Sequence, residues 1–178
     1  MKDTENVIQT NAKYHELDAK ANIIYKFVMN YNDYIKTARD YGTGEIINMV
    51  EVHTLTVIEE NPGITVTEVA LEWNRTKSAV SKIITKLEKR SLIIRKKEAG
   101  NAKNEHLYVT DKGKLLSKAH KDYDIKELTW ADKTLRKSFT PEEINLFYKV
   151  MQKYTEVLDM PDIEKKEVEV VKHKLKLS

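Results

Sequence analysis

The stretch that decides the fold is residues 65–89, TVTEVALEWNRTKSAVSKIITKLEK. Thr65 and Glu68 have the spacing of a capping box, in which a hydroxyl and a carboxylate satisfy free backbone amides at the start of a helix. A second helix is predicted after the polar turn Asn74-Arg75, where Thr76 can serve as its N-cap. Two short helices joined by a tight turn predict a helix-turn-helix, in which the first helix braces the second.

The second helix has two different faces. Its apolar residues follow the i, i+3, i+4, i+7 spacing of a buried stripe: Val80, Ile83, Ile84 and Leu87. Its opposite face carries hydroxyl groups and positive charge: Ser78, Lys82, Thr85 and Lys89, flanked by Ser81 and Lys86. The first helix supplies apolar partners for the buried stripe: Val69, Ala70 and Trp73. The pattern therefore predicts a helix that packs on its predecessor and presents its basic face outward.

A β-hairpin and another helix are predicted to follow. Residues 92–97 have the pattern of a strand and residues 105–109 that of its return, with the turn-forming Ala99-Gly100-Asn101 between them. Thr110 can cap the next helix, and helical character should continue with breaks through Leu128 to Lys137. A basic hairpin directly after a helix-turn-helix is a candidate wing.

Two long apolar stripes lie outside this region. The first has heptad steps on one predicted helix: Leu17, Ala21, Ile24, Val28, Tyr31, Ile35 and Ala38. The second follows the helix start Thr140-Pro141: Ile144, Phe147, Met151, Tyr154 and Leu158. A helix-turn-helix needs only one partner face to close its core, so the surplus apolar surface predicts an obligate homodimer.

The charge is unevenly distributed along the chain. The formal net charge is +3, yet residues 75–121 contain 14 Lys and Arg against 4 Asp and Glu, whereas the rest contains 17 against 24. A basic block inside an otherwise acidic chain predicts a surface that binds a polyanion. Because the block covers the outer helix face and the hairpin, double-stranded DNA is the expected partner.

Several classes of protein are disfavoured by composition and motif content. The absence of cysteine excludes disulfides, thiolate zinc sites and cysteine nucleophiles. Residues 1–11 are polar, and no run approaches the roughly 18 apolar residues of a membrane span, so we expect a cytoplasmic protein without a membrane partner. No phosphate-cradling glycine loop, nucleophile elbow or metal-catalytic motif occurs, which predicts that the protein is not an enzyme and uses no cofactor.

Three segments resemble the MarR family of winged helix-turn-helix transcriptional regulators. Residues 76–81 resemble the start of that family's recognition helix, residues 86–93 its exit into the wing, and residues 108–114 the entry of the second wing strand into the next helix. Ser91 stands where the family usually has glycine. At the wing tip, where the family commonly carries an Asp-x-Arg pair, this chain has Asn101 and Lys103. An ammonium enters a narrow minor groove less readily than a guanidinium does, so the wing is expected to insert differently.

The predicted architecture is mainly α with a small β-hairpin wing. Residues 46–121 form the winged helix-turn-helix DNA-binding domain, which includes a short helix from the Asn48 cap to about Glu60. The dimerisation helices lie in residues 12–40 and 140–160, joined to the domain at one end by a connecting helical segment, residues 122–139. Residues 161–178 are left unassigned.

The resemblance implies a sequence-specific regulator, acting as a homodimer on an inverted-repeat operator and modulated by a small-molecule effector. Its expected DNA contacts come from the turn, the second helix and the wing: Arg75, Thr76, Lys77, Ser78, Ser81, Lys82, Thr85, Lys96, Lys97, Asn101 and Lys103. Its expected dimer interface consists of stripe residues: Leu17, Ala21, Ile24, Val28, Ile144, Phe147, Met151, Tyr154 and Leu158.

Two alternatives remain at this point. Winged helices also serve as protein-interaction modules, because a fold does not dictate a function. A metal-responsive regulator using His53 and His120 is the second alternative, and it requires the second and fifth helices to pack together. No HxxxH or HExxH spacing occurs, and His53 and Glu51 do not share a helix face, so the sequence favours no metal site.

Overall fold

The computed structural model describes residues 2–98 and 101–159, with side chains from 7–97 and 105–158. Within these residues the chain forms six helices and two antiparallel hairpins. The elements follow in the order α1 Lys2–Lys36, β1 Arg39–Asp40, β2 Ile46–Ile47, α2 Met49–Glu60, α3 Val66–Glu72, α4 Lys77–Lys89, β3 Ile93–Glu98, β4 Asn101–Val109, α5 Asp111–Leu135 and α6 Pro141–Asp159. The chain divides into two compact units, Met1–Asp124 and Ile125–Ser178. The predicted fold class, a winged helix-turn-helix in a mainly α protein, is confirmed.

Short polar side chains start the helices of the first unit where the sequence predicts them. Asn48 Oδ1 accepts a hydrogen bond from Glu51 N at 2.9 Å. Thr65 and Glu68 form the predicted capping box, in which Glu68 Oε2 also accepts from Thr65 N at 2.8 Å. Thr76 caps α4. These bonds satisfy amides that have no partner inside the helix, so each helix begins at a defined residue.

The core of the first unit lies between α2, α4, the base of the hairpin and the first turns of α5. Its largest fully buried side chains include Leu55, Ile84, Leu92, Leu107 and Leu116. The hairpin is attached to the helices through a short backbone contact as well. Gly63 N donates to Leu107 O at 2.9 Å, and Leu107 N donates to Ile64 O at 3.0 Å. The start of α3 and strand β4 are therefore held in a fixed relation.

The junction between α4 and β3 explains one departure from the family pattern. Ser91 N donates to Glu88 O at 2.8 Å and Leu92 N donates to Leu87 O at 3.0 Å, which is the bonding of a Schellman motif. Ser91 has φ +56°, a left-handed conformation that favours glycine. Serine therefore occupies this junction in the left-handed conformation that favours glycine.

Several predicted boundaries are wrong. Helix α5 runs without a break to Leu135, whereas breaks were expected from Leu128 onward. Strand β4 begins at Asn101, which pairs with Glu98 instead of lying in the turn. Helix α1 ends at Lys36, before Ala38, the last position of the predicted stripe. Ala99, Gly100 and residues 161–178 lie outside the described residues.

The hairpin of β1 and β2 was not predicted. Asp40 Oδ1 accepts hydrogen bonds from the backbone amides of Gly42, Thr43 and Gly44 at 2.8, 3.0 and 3.0 Å. These backbone hydrogen bonds, chiefly that from Gly42, hold the pKa of Asp40 below its usual value, although partial desolvation opposes them. One carboxylate therefore closes the loop that brings α1 back to α2.

The two long stripes remain largely exposed in the single chain. On α1, Leu17 and Val28 are each 52% exposed. On α6, Phe147 and Leu158 are 49% and 63% exposed, and Ile144 is buried. Among the described residues, none of the helices combines the length and the apolar character needed to cross a bilayer.

Candidate nucleic-acid interface

Helix α4 presents most of its predicted contact residues along one exposed face. Val80, Ile84 and Leu87 are buried on the other side, so packing fixes the direction in which the exposed side chains point. The exposed side chains are those of Lys77, Ser78, Lys82 and Thr85, with Ser81 half-buried at the edge. Three hydroxyls already have local partners: Thr76 Oγ1 caps the helix and lies 3.3 Å from Ser78 Oγ, and Thr85 Oγ1 donates to Ser81 O at 2.9 Å.

The cations of α4 differ between its two ends. Within the described part of the chain, neither Lys77 nor Lys82 has a carboxylate at ion-pair distance. Lys86 Nζ instead donates to Glu51 Oε1 at 2.8 Å, and Glu51 is only 5% exposed. The first half of α4 consequently offers uncompensated positive charge, whereas Lys86 in the second half ties α4 to α2.

An open groove of about 690 Å³ runs between the start of α3, α4 and the base of the hairpin. Its walls bring together residues from α3, α4 and the hairpin, including Thr67, Lys77, Ser81, Lys97 and His106. His106 is held in place because its Nδ1 lies 2.7 Å from Gly63 O. The groove places two of the predicted helix contacts, Lys77 and Ser81, and one predicted wing contact, Lys97, on a single surface.

Arg95 is a structural residue of this surface that the sequence analysis did not single out. Its Nε donates to Glu88 Oε2 at 3.1 Å, and its Nη1 donates to Glu105 Oε2 at 2.9 Å. Glu88 belongs to α4 and Glu105 to β4, so one guanidinium joins the end of α4 to both strands of the hairpin. The fork geometry of arginine suits this double contact.

The side chains of Lys96 and Lys97 differ in their position relative to the groove. Side chains of adjacent strand residues point to opposite faces, and only Lys97 lines the groove with α4. Lys96 Nζ lies 5.0 Å from the centre of the Tyr108 ring, in a cation–π contact on the other face. The structure thus brings Lys97 into the predicted contact surface and separates Lys96 from it.

The remaining predicted DNA contacts are distributed more widely. Arg75 is exposed but lines a different cavity, described next. The backbones of Asn101 and Lys103 belong to β4, while their side chains lie outside the described residues. The prediction for these wing residues therefore remains a prediction.

A mainly apolar pocket of about 490 Å³ lies between α1, α2, α3 and α4. Side chains from all four helices line it, among them Ile35, Met49, Trp73, Arg75 and Ile83. We call it the four-helix pocket. It adjoins the helix-turn-helix on the side of α1.

A second polar cluster lies between α2 and α5. His53 Nε2 and His120 Nε2 lie 3.5 and 3.3 Å from the same oxygen, Asp124 Oδ2. The rings of His53 and His120 are 4.7 Å apart, so the two histidines approach one another, which is the condition that the metal alternative sets. Burial lowers the pKa of His120, with the nearby Asp124 opposing the shift and His53 adding to it.

Asp124 is the member of this cluster that sequence reasoning missed. The signal was present, because His120 and Asp124 are four residues apart and so share one face of a helix. The HxxxH pattern requires two histidines, whereas the second residue here is an aspartate. The approach of His53 to His120 and Asp124 depends on the packing of α2 against α5, which no local sequence pattern specifies.

Comparisons with known proteins point to one family. The MarR family model matches residues 47–104. The uncharacterized HTH-type transcriptional regulator YhjH of Bacillus subtilis is 34% identical over 87 residues, which are 49% of this chain and 50% of the relative. The chain therefore spans about half the length of this curated relative.

Two solved structures extend the likeness. An uncharacterized SlyA-like transcription regulator from Listeria monocytogenes is 30% identical, with a TM-score of 0.50 over 61% of this chain and 69% of that one. S. aureus MepR, solved as a DNA complex, is 22% identical, with a TM-score of 0.63 over 76% of this chain and 96% of that one. At that identity, the likeness to MepR shows the fold alone.

Proposed function

Because this chain belongs to the MarR family, we propose that it is a transcriptional regulator that binds double-stranded DNA with sequence specificity as a homodimer. The observation that carries the proposal is the groove beside α4, where Lys77 and Ser81 of α4 and Lys97 of the hairpin line one open surface. An exposed helix fits the major groove of B-DNA, where lysine and hydroxyl side chains meet base edges and phosphates.

The exposed residues of α4 and the hairpin have two different roles in this proposal. Ser78 and Lys82 lie on the exposed face and are assigned to base edges. Lys77 at the first turn and Lys97 on the hairpin are assigned to phosphates, together with the expected wing residue Lys103. Phosphate contacts position the protein, whereas base contacts set the sequence preference. The complex of MepR with DNA supports the same use of this fold.

The exposed stripes on α1 and α6 support a homodimer. Apolar side chains such as Val28 and Leu158, more than half exposed in one chain, are expected to be covered by the same surfaces of a second copy. A two-fold dimer would present two copies of α4 about 34 to 36 Å apart, one turn of the duplex, so the operator should be an inverted repeat.

The four-helix pocket supports control by a small apolar molecule. It borders both α1, assigned to the dimer, and α3 and α4, assigned to DNA. A ligand that binds one arrangement of these helices more tightly than another shifts the equilibrium by its difference in affinity for the two. Aromatic or aliphatic compounds with one polar group fit this lining. The pocket is mainly apolar, and its lining also includes the polar side chains of Lys36, His53 and Arg75.

The test compares Lys82→Ala with Lys149→Ala, an exposed lysine on α6 that serves as a control of equal charge. Operator fragments are first selected from genomic DNA by the purified protein, and binding is then followed by fluorescence anisotropy over a salt series. The log of the affinity should fall linearly with the log of salt, with a slope of about −0.9 per neutralised phosphate. Lys82→Ala should also change the selected sequence, whereas Lys149→Ala should leave both results unchanged.

The interaction-module alternative gives a different outcome. It predicts no selected sequence, early elution from heparin and an affinity for duplex that is negligible at physiological salt. Any sequence preference that survives Lys82→Ala and Ser78→Ala together would refute the assignment of α4 as the reading helix.

A further inference from the structure

Helix α1 is attached to the rest of the first unit through its C-terminal end. Among its described side chains, residues 7–36, none is buried, and three of the five half-buried ones lie in the last two turns: Asn32, Tyr34 and Ile35. The predicted interface residue Leu17 lies about 28 Å from Lys36 along the helix. A small change in direction at the attached end therefore moves the predicted dimer surface by several ångströms.

The space between α1 and α4 contains a cavity. The four-helix pocket, about 490 Å³, is lined by Ile35 and Lys36 from α1 and by Val80 and Ile83 from α4. Side chains that face a cavity have no packing partner on that side, so these two walls do not hold each other at a fixed distance. Contacts elsewhere in the first unit have to fix the direction of α1 relative to α4.

Arg39 of β1 joins the end of α1 to α5. Its Nη1 donates to Tyr123 Oη at 3.0 Å, and its Nη2 donates to the backbone oxygen of Tyr34 at 3.2 Å. Its guanidinium carbon also lies 4.4 Å from the centre of the Tyr34 ring, at a cation–π distance. The planar fork of arginine makes these contacts at the same time, so one side chain connects two helices that are far apart in sequence.

The β1–β2 hairpin continues this connection to the end of α4. Across the two strands, Arg39 pairs with Ile47 and Asp40 pairs with Ile46. Ile46 O accepts a hydrogen bond from Arg90 Nη1 at 2.8 Å, and Arg90 is the C-cap of α4. The route from the last turn of α1 to the end of α4 therefore consists of Arg39, one pair of short strands and Arg90.

Further contacts hold the hairpin itself in place. Lys112, in the first turn of α5, donates to Arg90 O at 3.2 Å and forms an ion pair with Glu45. Tyr41, directly after β1, and Ile47, in β2, are 7% and 1% exposed and belong to the hydrophobic core. Because both sides of the hairpin are anchored in a closely packed core, it can keep α1 and α4 in a fixed relation.

We propose that the β1–β2 hairpin sets the direction of α1 relative to α4, with Arg39 and Arg90 as its positioning residues. In the homodimer this direction determines how far apart the two copies of α4 lie, so the same two residues set the half-site separation that the dimer accepts. The statement about half-site separation rests on the proposed function. The statement about α1 and α4 concerns a single chain and is tested without DNA.

The first measurement is a distance within one chain. The chain has no cysteine, so Ala19→Cys on α1 and Lys82→Cys on α4 provide two exposed positions for nitroxide spin labels. Doubly labelled full-length chains are diluted with a large excess of unlabelled chains, so that electron–electron resonance counts only distances within one chain. Ala19 lies about 26 Å from Lys36 along α1, so a change of about 10° in the direction of α1 moves the label by about 4–5 Å.

Arg39→Gln and Arg90→Ala should each shift or broaden the distance distribution by about 4 Å, as expected for a change of this angle. Tyr123→Phe, which removes only the hydroxyl that accepts from Arg39, should cause a smaller change of the same kind. Arg90→Lys keeps a donor for Ile46 O and should restore the distribution of wild type. Arg136→Gln, an exposed arginine outside the first unit, is the matched control and should change nothing.

The second measurement uses a DNA library of inverted repeats in which both the half-site sequence and the half-site separation vary. Wild type should select one separation. Arg39→Gln should lower the preference for that separation over its neighbours by roughly five- to tenfold, the lower range of coupling between two sites, and leave the half-site sequence unchanged. Lys82→Ala should change the half-site sequence and keep the separation. A residue that only stabilised the fold would weaken binding at all separations equally.

Two results would overturn the inference. The first is that Arg39→Gln and Arg90→Ala fold, by circular dichroism, and keep the distance distribution of wild type. The second is that Arg136→Gln shifts the distribution equally. If Arg39→Gln or Arg90→Ala does not fold, Tyr123→Phe decides in its place, and an unchanged distribution in that variant counts against the hairpin.

The two measurements also separate this inference from the proposed function. Shifted distances with an unchanged preference for separation would refute the assignment of operator spacing to Arg39 and Arg90. If wild type selects no DNA, the proposed function fails, and the spin-label distances still decide whether the hairpin fixes the direction of α1.

Discussion

Replacing Gly113 with alanine should destabilise the protein, although alanine is the better helix former. Gly113 lies in the first turn of α5 and is buried against the start of β3. A Cβ atom at this position would lie 2.1 Å from Leu92 O and 3.3 Å from Leu55 Cδ1. The carbonyl would have to move by about 1 Å to reach an ordinary contact distance.

The size of the effect follows from what holds that carbonyl. Leu92 O accepts hydrogen bonds from Thr110 N at 3.0 Å and from Thr110 Oγ1 at 3.1 Å, so its movement disturbs the start of α5. Leu92 and Leu55 are fully buried, which prevents easy relaxation. Overpacking of a core costs about 1–3 kcal/mol, and each weakened hydrogen bond about 1 kcal/mol. Both hydrogen bonds to Leu92 O are weakened and helix propensity returns about 1 kcal/mol, which leaves a net loss of about 2–4 kcal/mol.

Chemical and thermal unfolding followed by circular dichroism at one fixed protein concentration measure this loss. For a chain of this length, a net loss of about 2–4 kcal/mol lowers Tm by roughly 4–16 °C. Lys114→Ala, the next residue of the same helix with an exposed side chain, is the matched control and should change stability by less than about 0.5 kcal/mol. If Gly113→Ala is as stable as wild type or more stable, propensity outweighs the contact, and the close packing of α5 on β3 is wrong.

Two further predictions concern helix ends. Ser91→Gly should stabilise the protein by about 0.5–1 kcal/mol, because glycine adopts φ +56° without the steric cost that serine has there; a lower midpoint in urea unfolding would contradict the left-handed conformation. Thr65→Ala should cost about 1 kcal/mol by removing the side chain of the capping box, and should let the pKa of Glu68 rise, since hydrogen bonds from the Thr65 amide and then its hydroxyl hold that pKa low. An unchanged Glu68 titration by NMR in this variant would rule out the hydroxyl contact.

Features encoded in a few neighbouring residues were predictable from the sequence. The caps at Asn48, Thr65, Thr76 and Thr140 each appear where a short polar side chain stands three residues before an amide that needs a partner. The buried face of α4 followed from its 3.6-residue period. Such signals need no knowledge of the rest of the fold, because both partners lie within one turn of a helix.

Features that depend on distant residues were not predictable in the same way. The loop closed by Asp40 follows no strand pattern, since β1 and β2 have two residues each. The double ion pair of Arg95 requires Glu88 and Glu105 to meet, and only the folded hairpin brings them together. Lys96 and Lys97 were assigned the same role from their charge, although the strand turns them to opposite faces.

The histidine cluster lies between these two cases. The spacing alone predicts that His120 and Asp124 lie on one face of a helix, because they are four residues apart. In the sequence, His53 is an isolated histidine. Its contact with the pair depends on the packing of α2 against α5, which brings its Nε2 to 3.5 Å from the same carboxylate oxygen. In a three-residue cluster of this kind, the sequence predicts the local pair and does not predict the distant residue. The packing of α2 against α5 decides which distant side chain joins the local pair.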